Sequence, residues 1–227
     1  MRNHGVDFIL CFFDENSVER WDYGGSHKEL AQDYEFLLQW LIEEPSIGLV
    51  FKPKKFRDLF QRIGDTSNLI KQAQETGRCK MFDDNFGNNI SPAEAALIAD
   101  VCIGKLTGVT AALEAQLIGS PSILIDIDQF HTHPLYSGAS KDFIFSDWKP
   151  LRFAVEKYRS NPAAYPELGN WGNELKGLDP YQDGKANLRM GNYIGNVYDA
   201  LKSGESKKIA QQIAHEKFQS KWSSSLI

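Results

Sequence analysis

A carboxylate one helical turn beyond a small-residue turn is the arrangement in this sequence that first suggests chemistry. Thr107-Gly108-Val109-Thr110 follows the apolar run Val101 to Ile103, and Glu114 follows the turn, all within ADVCIGKLTGVTAALEAQLIGSPSILIDID at residues 99–128. A strand that feeds through such a turn into a helix presents unpaired backbone N–H groups and the positive end of the helix dipole at the mouth of a sheet. An anion such as a diphosphate is stabilised there. With the helix starting near Thr110, Glu114 lies about 6 Å along its axis at roughly 1.5 Å per residue. Helical side chains lean back toward the N-terminus, so this carboxylate is placed for the hydroxyls of a ribose whose phosphates rest on the turn. The expected nucleotide and diphosphate contacts are Thr107, Gly108, Val109, Thr110 and Glu114.

Other groups add to this set, each with a plainer alternative. Lys52 closes an apolar run in FKPKK, with Lys54 and Lys55 beyond it. It lies at the carboxyl end of a strand, where doubly wound sheets bind ligands, and there it either neutralises a diphosphate or simply solvates the strand end. Gly24, Gly25 and Ser26 offer a second anion nest, against which stands Ser26 as an ordinary helix N-cap, the favoured reading. Asp126-Ile127-Asp128 has the spacing of a divalent-metal pair, though both carboxylates close a buried strand. His131 and His133 lack a third ligand spaced to complete a zinc site. With Asp128 they directly follow the strand, and the plain reading is solvated loop residues.

These residues need a scaffold, and strand and helix signals alternate along the chain to supply one. Val6 to Phe13, Ile47 to Phe51, Arg78 to Phe82, Val101 to Ile103, Ser122 to Ile127 and Phe143 to Phe145 read as strands. Between them, Lys28 to Ile42 repeats apolar residues on one helical face, Phe56 to Ile63 and Leu69 to Thr76 give shorter helices, and Ser91-Pro92-Ala93-Glu94 opens another with a capping box. A further helix is expected over Leu151 to Arg159. This alternation predicts an α/β fold, a parallel sheet sandwiched by helices. The expected organisation is a sheet domain over 1–160, an ordered loop or linker over 161–184 rich in Pro, Gly and Asn, and C-terminal helices over 185–227. Ala186, Met190, Tyr193, Val197 and Leu201 would form the apolar stripe of the first terminal helix, entered through Asp183-Gly184, with Arg189 on its surface.

The run TGVTAALEAQLIGSPSILI resembles the donor-binding half of inverting two-domain GT-B glycosyltransferases, in particular those that add N-acetylglucosamine to the lipid-linked peptidoglycan precursor. In that family a Ser-Gly turn, a helical Glu seven positions after the first turn residue, and a Gly-x-Pro entry to the next strand bind the nucleotide-sugar. Thr107, Gly108, Glu114, Gly119 and Pro121 match this order, with Thr in place of Ser. LDPYQDGKANLRMGNYI and the closing helix to Trp222 are similar to the C-terminal ends of bacterial surface and capsular polysaccharide glycosyltransferases.

The resemblance implies a Rossmann-like half of a GT-B fold that takes a nucleotide-sugar as substrate, with no cofactor, no metal at Asp126 and Asp128, and Asp128, His131 and His133 as contacts to the donor sugar. It also implies an N-terminal acceptor domain or partner subunit that carries the catalytic base, for which this chain offers no candidate. The chain is therefore expected to be the donor half, with peripheral membrane association arising through the other half and self-association left open. A nucleotide-sugar epimerase of the same fold, or a non-catalytic nucleotide-binding module of a polysaccharide assembly, are the alternatives.

Bulk properties narrow the classes. The chain has 227 residues and a formal net charge of −5, which argues against a general nucleic-acid binder. No apolar run reaches the roughly 18 residues of a membrane span, and the start lacks the pattern of an export signal, so a cytoplasmic protein is expected. Cys11, Cys79 and Cys102 are odd in number and widely spaced, which suits reduced core thiols better than a disulfide framework.

Overall fold

The computed structural model describes residues 1–20, 25–83, 90–137 and 143–222. The expected nest residue Gly24 lies outside them. Six strands form one parallel sheet in the order β3-β2-β1-β4-β5-β6: β1 (Phe8–Phe13), β2 (Ile47–Lys52), β3 (Cys79–Met81), β4 (Val101–Lys105), β5 (Ser122–Ile125) and β6 (Ile144–Phe145). The helices are α1 (His27–Glu43), α2 (Leu59–Ile63), α3 (Thr66–Glu75), α4 (Pro92–Ala96), α5 (Thr110–Leu117), α6 (Trp148–Ser160), α7 (Gly172–Leu178), α8 (Ala186–Lys202) and α9 (Lys207–Trp222). The expected α/β parallel sheet is thus present.

Every residue of β1 is buried, because its two faces meet different helices. Ile9, Cys11 and Phe13 pack with Val50 and Cys102 against Ala95 and Ala96 of α4 and Ala115 of α5. On the opposite face Phe12 sets its ring edge-on to Tyr34 of α1 and Trp148 of α6. A strand covered on both faces reads as an unbroken apolar run, as FILCFF does. Small residues on α4 and α5 let those helices approach closely. A Cβ on Gly104 of β4 would stand 2.9 Å from that of Ala112, so this glycine sets how near α5 lies to the strand it follows.

Caps fix the helix starts. Ser26 and Glu29 form a reciprocal capping box on α1, as Ser91 and Glu94 do on α4. This settles Ser26 as an N-cap. All three cysteines are free and buried, and burial pushes the Cys79 thiol up to about 12, which leaves it little thiolate and little reactivity.

Several sequence expectations change. The segment expected as a loop from Asn161 contains α7, and before it the chain is anchored by buried Leu168 and Trp171, whose indole donates to the Ser122 carbonyl at 2.7 Å. Two aromatic and aliphatic anchors override the loop-forming composition. The strand expected to run to Ile127 ends at Ile125, so Asp126 and Asp128 lie beyond it. Arg189, read as a surface residue, is buried. It donates to Asp183 Oδ1 through both terminal nitrogens, at 2.9 and 2.6 Å, and lies over the Tyr181 ring.

By its internal contacts the chain divides into two compact units, Met1–Gly172 and Asn173–Ile227. Within the second, α8 and α9 pack together, with Ala200, Ala210 and Ala214 buried. Met190 and Leu201 of the expected apolar stripe are instead exposed. Arg189 and the alanines take the buried face, where small residues permit close packing.

Candidate functional site

The strand order reverses between β1 and β4. In open α/β sheets a crevice forms at such a switch point, outside the carboxyl ends of the strands, because the two following connections diverge to opposite faces. Here β1 ends in Phe13-Asp14-Glu15 and β4 ends in Lys105, followed by a 3-10 turn at Leu106–Gly108 and then α5. A cavity of about 370 Å³ lies at this point. It is lined by Asp14 and Glu15 after β1, Lys52 and Lys54 at the end of β2, and Gly108, Thr110 and Glu114 from the turn and α5.

Four sequence-predicted contacts, Lys52, Gly108, Thr110 and Glu114, therefore share one cavity, although they come from two separate stretches of chain. Thr107 and Val109 belong to the same turn but are not among its lining residues. Among the described residues no side-chain cap of α5 is present, and the first-turn N–H groups of a helix have no partner within the helix itself. Lys52 donates to the Pro53 carbonyl at 3.3 Å.

The predicted sugar contacts lie beyond β5 and do not line this cavity. His131 approaches Gln129 Oε1 at 3.4 Å and sets its ring edge-on to Tyr136, while His133 Nδ1 accepts from the Leu135 backbone N–H at 3.3 Å. Asp128 interacts electrostatically with Lys105, which ties it to the end of β4. Asp126 is buried and accepts a hydrogen bond from the Tyr136 hydroxyl. Among the described residues no group of three or more His, Cys, Asp or Glu is placed to hold a metal ion.

Several residues of the site were not singled out from sequence. Asp14 is buried, accepting from the Lys54 N–H at 2.5 Å and the Tyr34 hydroxyl at 2.9 Å. Burial pushes its carboxyl up to about 6, against the pull of these hydrogen bonds. Glu15 forms an ion pair with Lys54. Lys105 is paired with Asp33 at 2.6 Å. Burial alone would favour its neutral amine, but Asp33 overrules this and holds the ammonium above its ordinary value. Part of the signal was available: Asp14 directly follows the apolar run of β1 and Lys105 closes β4, where a parallel sheet exposes its carboxyl edge.

No protein-family model matches the chain, and no curated protein matches it by sequence. Solved structures do match. The S. aureus MnaA-UDP co-structure superposes with a TM-score of 0.53 at 10% identity, over 88% of this chain and 48% of that one. A structure described as a UDP-N-acetylglucosamine 2-epimerase from Listeria monocytogenes gives 0.52 at 11% identity, over 91% and 48%. The chain thus spans about half the length of the structures it matches, and at this identity the likeness is one of fold. Among the described residues no helix is long and apolar enough to cross a membrane.

Proposed function

We propose that the chain is the donor-binding half of a glycosyltransferase that uses a nucleotide-sugar to build a surface polysaccharide or lipid-linked glycan. One observation carries the reading: Lys52, Gly108, Thr110 and Glu114 line a single cavity at the switch point of the sheet. In this reading the N–H groups of the turn and of α5 hold the diphosphate, Lys52 neutralises it, and Glu114 accepts from the ribose hydroxyls. Thr107 and Val109 shape the turn. Asp128, His131 and His133 approach the sugar from the end of β5. The bound UDP of the S. aureus co-structure makes UDP the first ligand to test.

The acceptor and the catalytic base are assigned to a second half, in line with the share of the matching structures that this chain spans. A cytoplasmic reaction belongs to this proposal, and the support for it is that Cys11, Cys79 and Cys102 are free thiols. The name of the Listeria structure favours a second reading, a nucleotide-sugar epimerase half. A thermal-shift screen of nucleoside diphosphates and CMP tests the shared part, since a ligand that binds only the folded state raises its unfolding midpoint. No shift with any of them overturns both readings. Once the chain is completed by its acceptor half, sugar transferred to an acceptor identifies the first reading and epimerised free sugar the second.

A further inference from the structure

Glu15 stands where the diphosphate is placed above. Its carboxylate reaches from the end of β1 to the turn before α5: a Cβ built on Gly108 would lie 2.9 Å from the Glu15 carboxyl carbon and nearer still to Oε2. Only glycine at 108 admits this approach. Two donors hold the other oxygen, the Asn16 backbone N–H at 2.8 Å from Oε1 and the Lys54 ammonium. The Glu15 side chain is 17% exposed and that of Lys54 55%. A carboxylate of the chain itself thus lies against Gly108 in the turn that leads into α5, and it holds a lysine that faces the same cavity.

A diphosphate and this carboxylate cannot share the turn. Their volumes overlap, and their like charges repel at close range. Lys54 is half exposed, and an ion pair of that kind holds weakly, so its exchange for a more highly charged partner is favourable. We propose that Glu15 is an internal stand-in for the ligand's phosphate, and that a diphosphate takes the Gly108 turn by displacing Glu15 and receiving Lys54 from it. The inference rests on the nucleotide reading above. It adds Lys54 to the phosphate contacts and makes Glu15 a competitor that sets how tightly any anionic ligand is held.

Calorimetric titration of the wild-type chain, Glu15→Gln and Lys54→Met with UDP, inorganic pyrophosphate and uridine tests it. Glu15→Gln keeps the shape and removes the charge, and is expected to bind UDP and pyrophosphate about three- to tenfold tighter while leaving uridine unchanged. Lys54→Met is expected to weaken both phosphates by a similar factor. A Glu15 with only a structural role would instead lower the unfolding midpoint on substitution, with no gain in phosphate affinity. Wild-type binding of UDP with no tightening in Glu15→Gln, or an equal gain for uridine, overturns the displacement and leaves the nucleotide reading standing. Failure of both wild type and Glu15→Gln to bind UDP and pyrophosphate overturns the two together.

Discussion

Lys105 Nζ lies 2.6 Å from Asp33 Oδ2, joining the last residue of β4 to the middle of α1. The two side chains are 11% and 3% exposed, and the second Asp33 oxygen accepts from the Trp148 indole at 2.9 Å. The pair fixes the end of the strand that delivers the Leu106–Gly108 turn to the cavity.

Breaking that pair by Lys105→Met is therefore expected to leave a buried carboxylate without its partner and to destabilise the first unit by about 3–5 kcal/mol. Denaturant unfolding measures the loss. Adding Asp33→Asn should restore part of it, because the uncompensated charge is then gone. Additive losses in the double variant would show that the pair is not coupled.

Asp14 predicts a pH dependence with a definite sign. Burial raises its carboxyl from 3.8 to about 6, so between those values the native state holds the proton that the unfolded chain releases. The contribution of Asp14 to stability therefore falls as pH rises through this window, by up to about 3 kcal/mol. Asp14→Asn removes the charge at stake, and its stability relative to wild type should grow from acid to neutral pH. A difference that stays flat across the window would mean that Asp14 ionises in the fold as readily as in the free chain.

Most strands and the starts of α1, α4 and α5 could be read from the sequence because local signals and tertiary packing agree there, whereas α2, α3 and α6 start at Leu59, Thr66 and Trp148 rather than at Phe56, Leu69 and Leu151. FILCFF is apolar throughout because β1 is covered on both faces, and Ser26 and Ser91 each precede a Glu at the spacing of a capping box. The Thr110 start of α5 follows in the same way from the small-residue turn before it. What could not be read depends on distant partners. Arg189 lies over the ring of Trp222 at the end of α9 as well as that of Tyr181, and periodicity reports neither. The same holds for Glu15, whose contact with Gly108 spans two strands adjacent only in the folded sheet.

Metal removal separates two ways of holding a diphosphate. If the turn, the α5 dipole and Lys52 hold it, the affinity for UDP is expected to be the same in EDTA as in buffer, as measured by calorimetry. Binding lost in chelator and restored by manganese would move the phosphates to a metal held at Asp126 and Asp128, and would require Asp126 to exchange its hydrogen bond from Tyr136.

The central claim is that a nucleoside diphosphate sits in the cavity with its ribose on Glu114, and the dissociation constant of UDP for wild type against Glu114→Ala tests it most directly. Removing a charged hydrogen-bonding partner costs about 1.5–3 kcal/mol, a weakening of about tenfold or more. Glu114 is only partly buried, so the unfolding midpoint without ligand should hardly move. Saturable UDP binding to the wild type, weakened at least tenfold in a folded Glu114→Ala, is the predicted result; equal dissociation constants, or no binding by the wild type, would contradict it.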